Sequence, residues 1–129
     1  MSTGARPLEV EAVENRRQQR EFLKLPHRLY AADPDWVPPL NRDIRAFFSP
    51  GHPFRATCGD IAFFLARRDD RVVGRIAAIH NRRHNDYHQD RVGFFGFFES
   101  EDDPKIAARL LDVAAAWLRE RGLETLRGP

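Results

Sequence analysis

The chain has 129 residues, 42% of them apolar and 31% charged, a composition typical of one globular domain with one core. The net charge is only +2, and the basic residues occur as short pairs with acids nearby, which argues against the basic patch of a nucleic-acid-binding protein. Cys58 is the single cysteine, so an intrachain disulfide and a cysteine-based metal site are excluded. The sequence shows neither an apolar run near the ~20 residues that cross a bilayer nor a signal-peptide core. We therefore expect a cytoplasmic protein that binds neither nucleic acid nor a membrane.

The first predicted elements are a strand and a helix. Apolar and acidic residues alternate over residues 8–13, which is the pattern of a half-buried strand. Asn15, with Gln18 three residues later, is a capping-box start for the helix that follows. We expect Pro26 to break or kink this helix. The three prolines of "AADPDWVPPL" then predict a rigid, extended connection that presents Trp36.

The middle of the chain predicts a hairpin and a further strand. A short helix from about residue 41 to 48 precedes the loop "SPGHPF". Residues 61–68 and 71–79 are apolar runs joined by Asp69-Asp70, which predicts a β-hairpin. Residues 91–99 form a third central strand that is rich in phenylalanine.

Three histidines, His80, His84 and His88, lie in the polar connection "HNRRHNDYHQD" between these strands. On a helix this spacing would place them on one face, where they could bind a metal. The asparagines around them and the missing apolar face favour a solvated loop with at most one helical turn. We therefore expect no metal site, and the role of the three histidines stays open.

The last predicted elements are a helix and the beginning of a strand. Asp103 and Pro104 form a good helix start, and apolar residues recur at helical spacing as far as Leu118. Gly122 ends this helix, and "LETLRGP" begins another strand. We expect residues 1–129 to be the N-terminal portion of a single domain that is incomplete at its C-terminus. An unfinished edge strand would be exposed there, where it could pair in a dimer.

The stretch "DRVGFFGFFESEDDPK" joins the phenylalanine-rich strand to the last helix. Its four phenylalanines, between residues 94 and 98, point in pairs to opposite faces, so both faces of the strand must be covered. Gly93 and Gly96 relax the strand locally and indicate a bulge.

The order of these elements, with the hairpin "RRDDRVVGRIAAI", resembles the first two thirds of the GNAT acyltransferase fold. The segments "LPHRLYAADPDWVPPL", "NRRHNDYH", "GFFGFFESEDDP" and "RGP" are similar to a little-characterised branch of that superfamily, and the resemblance covers nearly the whole chain. It implies an α/β fold of three layers, in which a mixed sheet is covered by helices on both sides.

The resemblance also implies a donor site. Members of the superfamily transfer an acyl group from acetyl-CoA or another acyl-CoA to an amine, and hold the donor in a cleft between the fourth and fifth strands. The corresponding backbone groups here belong to Phe97, Phe98, Glu99 and Ser100. Glu99 is also the residue that the resemblance favours as the catalytic base, although a solvated carboxylate at the end of a strand is the simpler interpretation.

The acceptor, a small-molecule amine, would face the segment after the first helix. By analogy with the superfamily, Arg28, Tyr30 and Trp36 lie where this segment covers the acceptor site. The simpler interpretation is that Trp36 only packs against the edge of the sheet.

The chain departs from the superfamily pattern at the start of the last helix. A glycine-rich loop normally binds the CoA diphosphate there through its backbone N–H groups. Residues 100–104 read Ser-Glu-Asp-Asp-Pro instead, and two like charges about 4 Å apart repel by roughly 4 kcal/mol. Either the acids turn away from the cleft, or CoA is not bound in the usual way, or the acids hold a cation or basic partner. The alternative to acyl transfer is thus a non-catalytic module that binds a ligand or partner, or an inactive fragment.

Overall fold

The computed structural model describes residues 7–38 and 41–128. The last two residues of the predicted proline-rich connection, Pro39 and Leu40, and the final proline of "RGP" lie outside this part of the chain. Within it the elements follow in the order β1 (Leu8–Ala12), α1 (Arg16–Leu29), α2 (Asn41–Ala46), α3 (Pro53–Thr57), β2 (Gly59–Arg68), β3 (Arg71–Asn81), α4 (Arg82–His88), β4 (Val92–Ser100), α5 (Pro104–Arg119) and β5 (Thr125–Arg127).

The strands form one mixed sheet, as predicted. Their order in the sheet is β1-β2-β3-β4-β5, so each strand lies beside its neighbours in the chain. The first four strands pair antiparallel, whereas β4 and β5 pair parallel through residues 92–94 and 125–127. Strands β2 and β3 are joined at Asp69-Asp70, where Asp69 has a left-handed backbone with φ of 56°, a conformation that aspartate tolerates in hairpin turns.

Helices cover both faces of the sheet, which confirms the predicted three-layer α/β architecture. On one face, α1 and α2 bury Phe22, Leu23 and Ile44 against side chains of β2 and β3. On the other face, α5 buries a stripe of four side chains against the sheet: Ile106, Leu110, Ala114 and Leu118. Among the described residues, none of the helices has the length and apolar character that crossing a membrane requires.

Helix α1 begins where the capping box predicts but passes through Pro26. The Asn15 side chain accepts a hydrogen bond from the Gln18 N–H at 2.9 Å, and the Gln18 side chain accepts one from the Asn15 N–H. Of the predicted break or kink at Pro26, the break does not occur, because α1 continues to Leu29. Pro26 cannot bond the carbonyl of Phe22, four residues earlier, but that oxygen accepts a hydrogen bond of 2.6 Å from the Arg75 side chain instead.

The connection after α1 folds into consecutive turns and is not extended as predicted. The Asp33 N–H donates to the Tyr30 carbonyl at 3.0 Å, and the Trp36 N–H donates to the Asp33 carbonyl at 3.3 Å. These turns fold Trp36 back towards the end of α1. In the predicted loop "SPGHPF", Pro53 already starts the short helix α3, whose first turn is capped by His52.

The predicted loop around the histidines is also corrected, since residues 82–88 form helix α4. Asn81 caps it by accepting a hydrogen bond of 2.9 Å from the His84 N–H. The buried Asn85 bonds both backbone groups of Val92 through its side chain. Side-chain hydrogen bonds from Asn81 at the start of α4 and from Asn85 in its middle therefore compensate for the missing apolar face.

Strand β4 contains the predicted bulge. Arg75 of β3 pairs with Glu99 and Ala77 pairs with Gly96, so Phe97 and Phe98 together oppose one residue of β3. Phe97 has a φ of 52°, which is uncommon for a residue other than glycine. The bulge turns the last residues of β4 relative to the rest of the strand.

Candidate functional site

Three of the predicted site residues meet at the end of β4. The Tyr30 hydroxyl donates a hydrogen bond of 2.6 Å to Oε1 of Glu99. The rings of Tyr30 and Trp36 stack with centroids 5.3 Å apart and an angle of 29° between their planes. His27 packs edge-on against Trp36 at 5.3 Å. The end of α1 and the connection after it thus provide an aromatic wall beside the Glu99 carboxylate.

Arg75 is a site residue that the sequence analysis missed. It is directly opposite Glu99 in the β3–β4 pairing and only 3% exposed. Burial lowers its pKa to about 10, against the opposing influence of Glu99 and Tyr30, so the guanidinium keeps its charge at neutral pH. The hydrogen bond to Glu99 is the main cause that raises the pKa of Tyr30 above its ordinary value. The only sequence signal for Arg75 is its position as a charged residue within the apolar strand "VVGRIAAI".

The buried guanidinium connects three elements of the fold. Nε of Arg75 donates to the Phe97 carbonyl at 3.0 Å, and Nη1 donates to the Phe22 carbonyl. The charged group also lies 4.6 Å from the centre of the Phe22 ring. Arg75 therefore fixes the bulge of β4 against α1, and with it the position of Glu99.

The outer edge of β4 is paired at its start and, among the described residues, unpaired at its end. Strand β5 pairs with residues 92–94 of β4, and residues 95–100 have no strand on that side in the described part of the chain. The rings of Phe97 and Phe98 belong to the core on opposite faces of the sheet. If Phe97 and Phe98 contact a donor, the contact is made by their backbone groups, since their rings are packed in the core.

Arg28 takes part in a different cluster. Its Nη1 atom is 3.0 Å from Oε2 of Glu101, and its Nη2 atom donates to the Val72 carbonyl. Arg71 approaches the other oxygen of Glu101 at 3.1 Å. Arg28 is thus directed to the start of α5 and not to the Tyr30–Glu99 pair.

The start of α5 is satisfied by the chain's own groups. Oδ1 of Asp103 accepts a hydrogen bond of 2.9 Å from the Lys105 N–H, and its carbonyl accepts one of 3.1 Å from the Ile106 N–H. The N–H groups of Glu101 and Asp103 donate to carbonyls of Val73 and Glu101, and the proline at position 104 has no N–H. These residues do not fit the CoA diphosphate at this helix end.

The histidines do not form a metal site in the described residues, where no group of three or more His, Cys, Asp or Glu side chains is placed to hold an ion. His84 and His88 lie on α4 with ring centres 4.5 Å apart, and His84 also packs against Phe94. His80 belongs to β3, where burial is the main cause that lowers its pKa.

Comparison with protein-family models gives no match. Among curated proteins, the chain is 36% identical over 124 residues to a bacterial ceramide synthase of Caulobacter vibrioides and 32% identical over 116 residues to protein YghO of Escherichia coli. The alignments cover 95% and 89% of this chain but only 32% and 29% of those proteins.

Solved structures match over nearly the whole chain. A tandem GNAT protein of clavulanic acid biosynthesis aligns with a TM-score of 0.71 at 18% identity, over 93% of this chain and 35% of its own. An aminoglycoside acetyltransferase from a soil metagenome, in complex with sisomicin, aligns with a TM-score of 0.67 at 11% identity, over 95% and 76%. An aminoglycoside N-acetyltransferase in complex with CoA aligns with a TM-score of 0.62 at 14% identity, over 100% and 80%. The chain therefore has the fold of the GNAT acetyltransferases.

Proposed function

We propose that the chain transfers an acyl group from an acyl-CoA to an amine, with Glu99 as the base. The observation that supports this most is the hydrogen bond between Tyr30 and Glu99 beside the stacked ring of Trp36. It places a carboxylate next to an aromatic wall and next to a strand edge that has no partner in the described residues.

The similar proteins support the general reaction. Structures of the same fold are acetyltransferases, and some of them were crystallised with CoA or with an aminoglycoside, a class of compound that carries amino groups. One sequence relative is named as a ceramide synthase, and a ceramide is an N-acylated amino alcohol. The acceptor proposed for this chain is therefore an amine.

Acyl transfer to an amine requires a group that removes a proton. As the new C–N bond forms and the C–S bond of the thioester breaks, the amine nitrogen must release a proton, and the sulfur leaves as a thiolate. A carboxylate at the site takes that proton directly or through one water. Glu99 is suited to this role because Tyr30 and the bulge fixed by Arg75 hold its carboxylate in place.

The second candidate is a GNAT-like module without catalytic activity that binds a ligand or a partner. The closed start of α5 favours it, since the usual place for the CoA diphosphate is taken by Asp103 and its hydrogen bonds. The two candidates differ in whether the chain binds acyl-CoA at all.

A thermal melt with acetyl-CoA in large excess separates them. A ligand at 100 times its Kd adds about 2.7 kcal/mol of stability, which raises the Tm of a domain of this size by several degrees. We expect a cooperative melt that shifts upward with acetyl-CoA. A cooperative melt that does not move would favour the non-catalytic module.

Turnover then tests Glu99. Thiol release from acetyl-CoA in the presence of a panel of primary amines, measured in a Cys58→Ser background to remove the chain's own thiol, should fall about 100-fold or more in Glu99→Gln. The acetyl-CoA melt shift should remain. Asp112→Asn is the control, because Asp112 is an exposed acid on α5. Equal turnover in Glu99→Gln and the control would rule out Glu99 as the base.

A further inference from the structure

We infer that this chain recognises its acyl donor through the pantetheine thioester arm and not through the diphosphate, because Asp103 and Glu101 close the start of α5 to phosphate. The inference rests on the proposed function and specifies the donor of that same site. Under this inference Asp103 and Glu101 are specificity-determining residues. It also explains why the segment "ESEDDP" has acids where the superfamily has a glycine-rich loop.

The backbone at this helix end has few groups to offer a phosphate. A helix N-terminus binds an anion through N–H groups that have no other partner. Here the side chain of Asp103 takes the Lys105 N–H, and the Ile106 N–H is bonded to the Asp103 carbonyl. The N–H groups of Glu101 and Asp103 also donate within the chain. A diphosphate would have to displace the Asp103 carboxylate to gain the Lys105 N–H, and would have to break backbone hydrogen bonds to gain the other three N–H groups.

The arginines around the helix start are engaged as well. Glu101 lies between Arg28 and Arg71, at 3.0 and 3.1 Å. Arg68 is 3.3 Å from Oδ2 of Asp103. Each of the three guanidinium groups therefore already faces a carboxylate, and the neighbouring acid, Asp102, is exposed to solvent. The cluster has no excess of positive charge with which to attract a phosphate.

The edge of β4 can still hold the rest of the donor. Pantetheine contains two amide groups, which can bond to an extended backbone in the manner of an added strand. Among the described residues, residues 95–100 lack a strand partner on the outer side of β4. This edge ends at Glu99 and Ser100, beside the aromatic wall of Tyr30 and Trp36. The donor class that fits is an acyl thioester of pantetheine, for which the nucleotide is dispensable.

Direct binding measurements with three probes test the inference: acetyl-CoA, S-acetylpantetheine and adenosine 3′,5′-bisphosphate. We expect the Kd values of acetyl-CoA and S-acetylpantetheine to agree within about threefold and to change little between 50 and 300 mM salt. The bisphosphate should neither bind nor compete. If the bisphosphate competes and S-acetylpantetheine binds 30-fold more weakly than acetyl-CoA, the inference is wrong while the proposed function stands. If neither thioester binds, both are wrong.

A double variant, Glu101→Gln with Asp103→Asn, tests the role of the acids without removing the helix cap, because asparagine caps as well as aspartate. It frees Arg28, Arg68 and Arg71 from their carboxylates. We expect acetyl-CoA to bind at least tenfold more tightly, while the Kd of S-acetylpantetheine stays the same. Asp112→Asn, an exposed acid later in α5, is the control and should change neither. If the ratio of the Kd values of acetyl-CoA and S-acetylpantetheine is the same in the double variant as in the unaltered chain, Glu101 and Asp103 do not determine donor specificity.

Discussion

The Tyr30 hydroxyl and the Glu99 carboxylate are joined by a hydrogen bond of 2.6 Å although the two residues are 69 positions apart in the chain. The bond ties the connection after α1 to the end of β4. It also raises the pKa of Tyr30 above its ordinary value of 10, because ionisation would place a phenolate beside a carboxylate.

We therefore predict that Tyr30 ionises above pH 10 in an ultraviolet titration and that Glu99→Gln brings its pKa down. Measuring in a Tyr87→Phe background leaves Tyr30 as the single tyrosine. Because the pKa is raised on folding, this pair stabilises the fold fully below pH 10 and loses its contribution as the pH rises through the folded pKa. An identical titration with and without Glu99 would contradict the hydrogen bond.

Replacing Arg75 should destabilise the fold strongly. Arg75→Met leaves the carbonyls of Phe22 and Phe97 without their side-chain donor, and each unsatisfied buried group costs about 1–3 kcal/mol. Since removal of a buried charge returns part of this, we expect a net loss of about 2–4 kcal/mol in urea unfolding. Arg20→Met is the control, because Arg20 is exposed on α1. Equal stability of the two variants would show that Arg75 does not hold the bulge.

Two strand glycines should differ sharply when replaced by alanine. A Cβ at Gly59 would lie 1.8 Å from the His80 carbonyl oxygen, a backbone atom that cannot move without separating β2 from β3. At Gly96 the nearest atom is the Cδ1 of Ile79 at 3.5 Å, an ordinary contact. We expect Gly59→Ala to cost about 1–3 kcal/mol and Gly96→Ala to be nearly neutral, measured by thermal melts. The reverse order would refute the close approach of the two strands.

The contribution of Arg67 should depend on pH. Its guanidinium is hydrogen-bonded to Glu11 and Glu21, which is the main cause that lowers the pKa of both carboxyls below their ordinary 4.5. A lowered pKa stabilises the fold above pH 4.5, and this stabilisation is lost as the pH falls through the folded pKa. Arg67→Gln should lower the Tm at pH 7 and reduce the drop in Tm between pH 7 and pH 3. Arg20→Gln should keep the drop of the unaltered chain, and a full drop in Arg67→Gln would exclude this pairing.

Helix α1 begins with an unfavourable charge that can be reversed. Arg16 is in its first turn, where no acid is present, and Arg20 follows one turn later. A positive charge at this end opposes the helix dipole, and like charges four residues apart repel. We expect Arg16→Glu to stabilise the chain by about 0.5–1 kcal/mol, with a smaller gain for Arg16→Gln. A lower Tm for both variants would show that Arg16 has a favourable contact in solution.

The sequence predicts the sheet better than it predicts the site. Strand patterns, the capping box of Asn15 and the turn at Asp69 are local signals, and the structure confirms them. The hydrophobic pattern of the sequence does not predict helix α4, because this helix is short and has no apolar face. Its two asparagines, Asn81 and Asn85, stabilise it through side-chain bonds that a hydrophobic pattern does not register.

Arg75 could not be predicted for a different reason. Its partners, the carbonyls of Phe22 and Phe97, come from elements 53 and 22 residues away in the chain. The bond from Arg75 to the Phe22 carbonyl also explains why Pro26 is tolerated within α1, since Arg75 supplies the hydrogen-bond donor that proline lacks. Taken alone, the segment of Arg75 indicates only a strand with an unexplained charge, and the segment of Pro26 indicates only a helix interrupted by proline.

The agreement between strand order and chain order has a consequence for how the molecule assembles. Strands β2 and β3 close through a two-residue turn, and β4 can add to them directly, so these pairings require only short loops. Strand β1 pairs with β2, with Leu8 opposite Arg68, although α1, α2 and α3 lie between the two strands in the chain. Because long loops are closed late, we expect β1 to join last and its amides to exchange with deuterated solvent before those of β3.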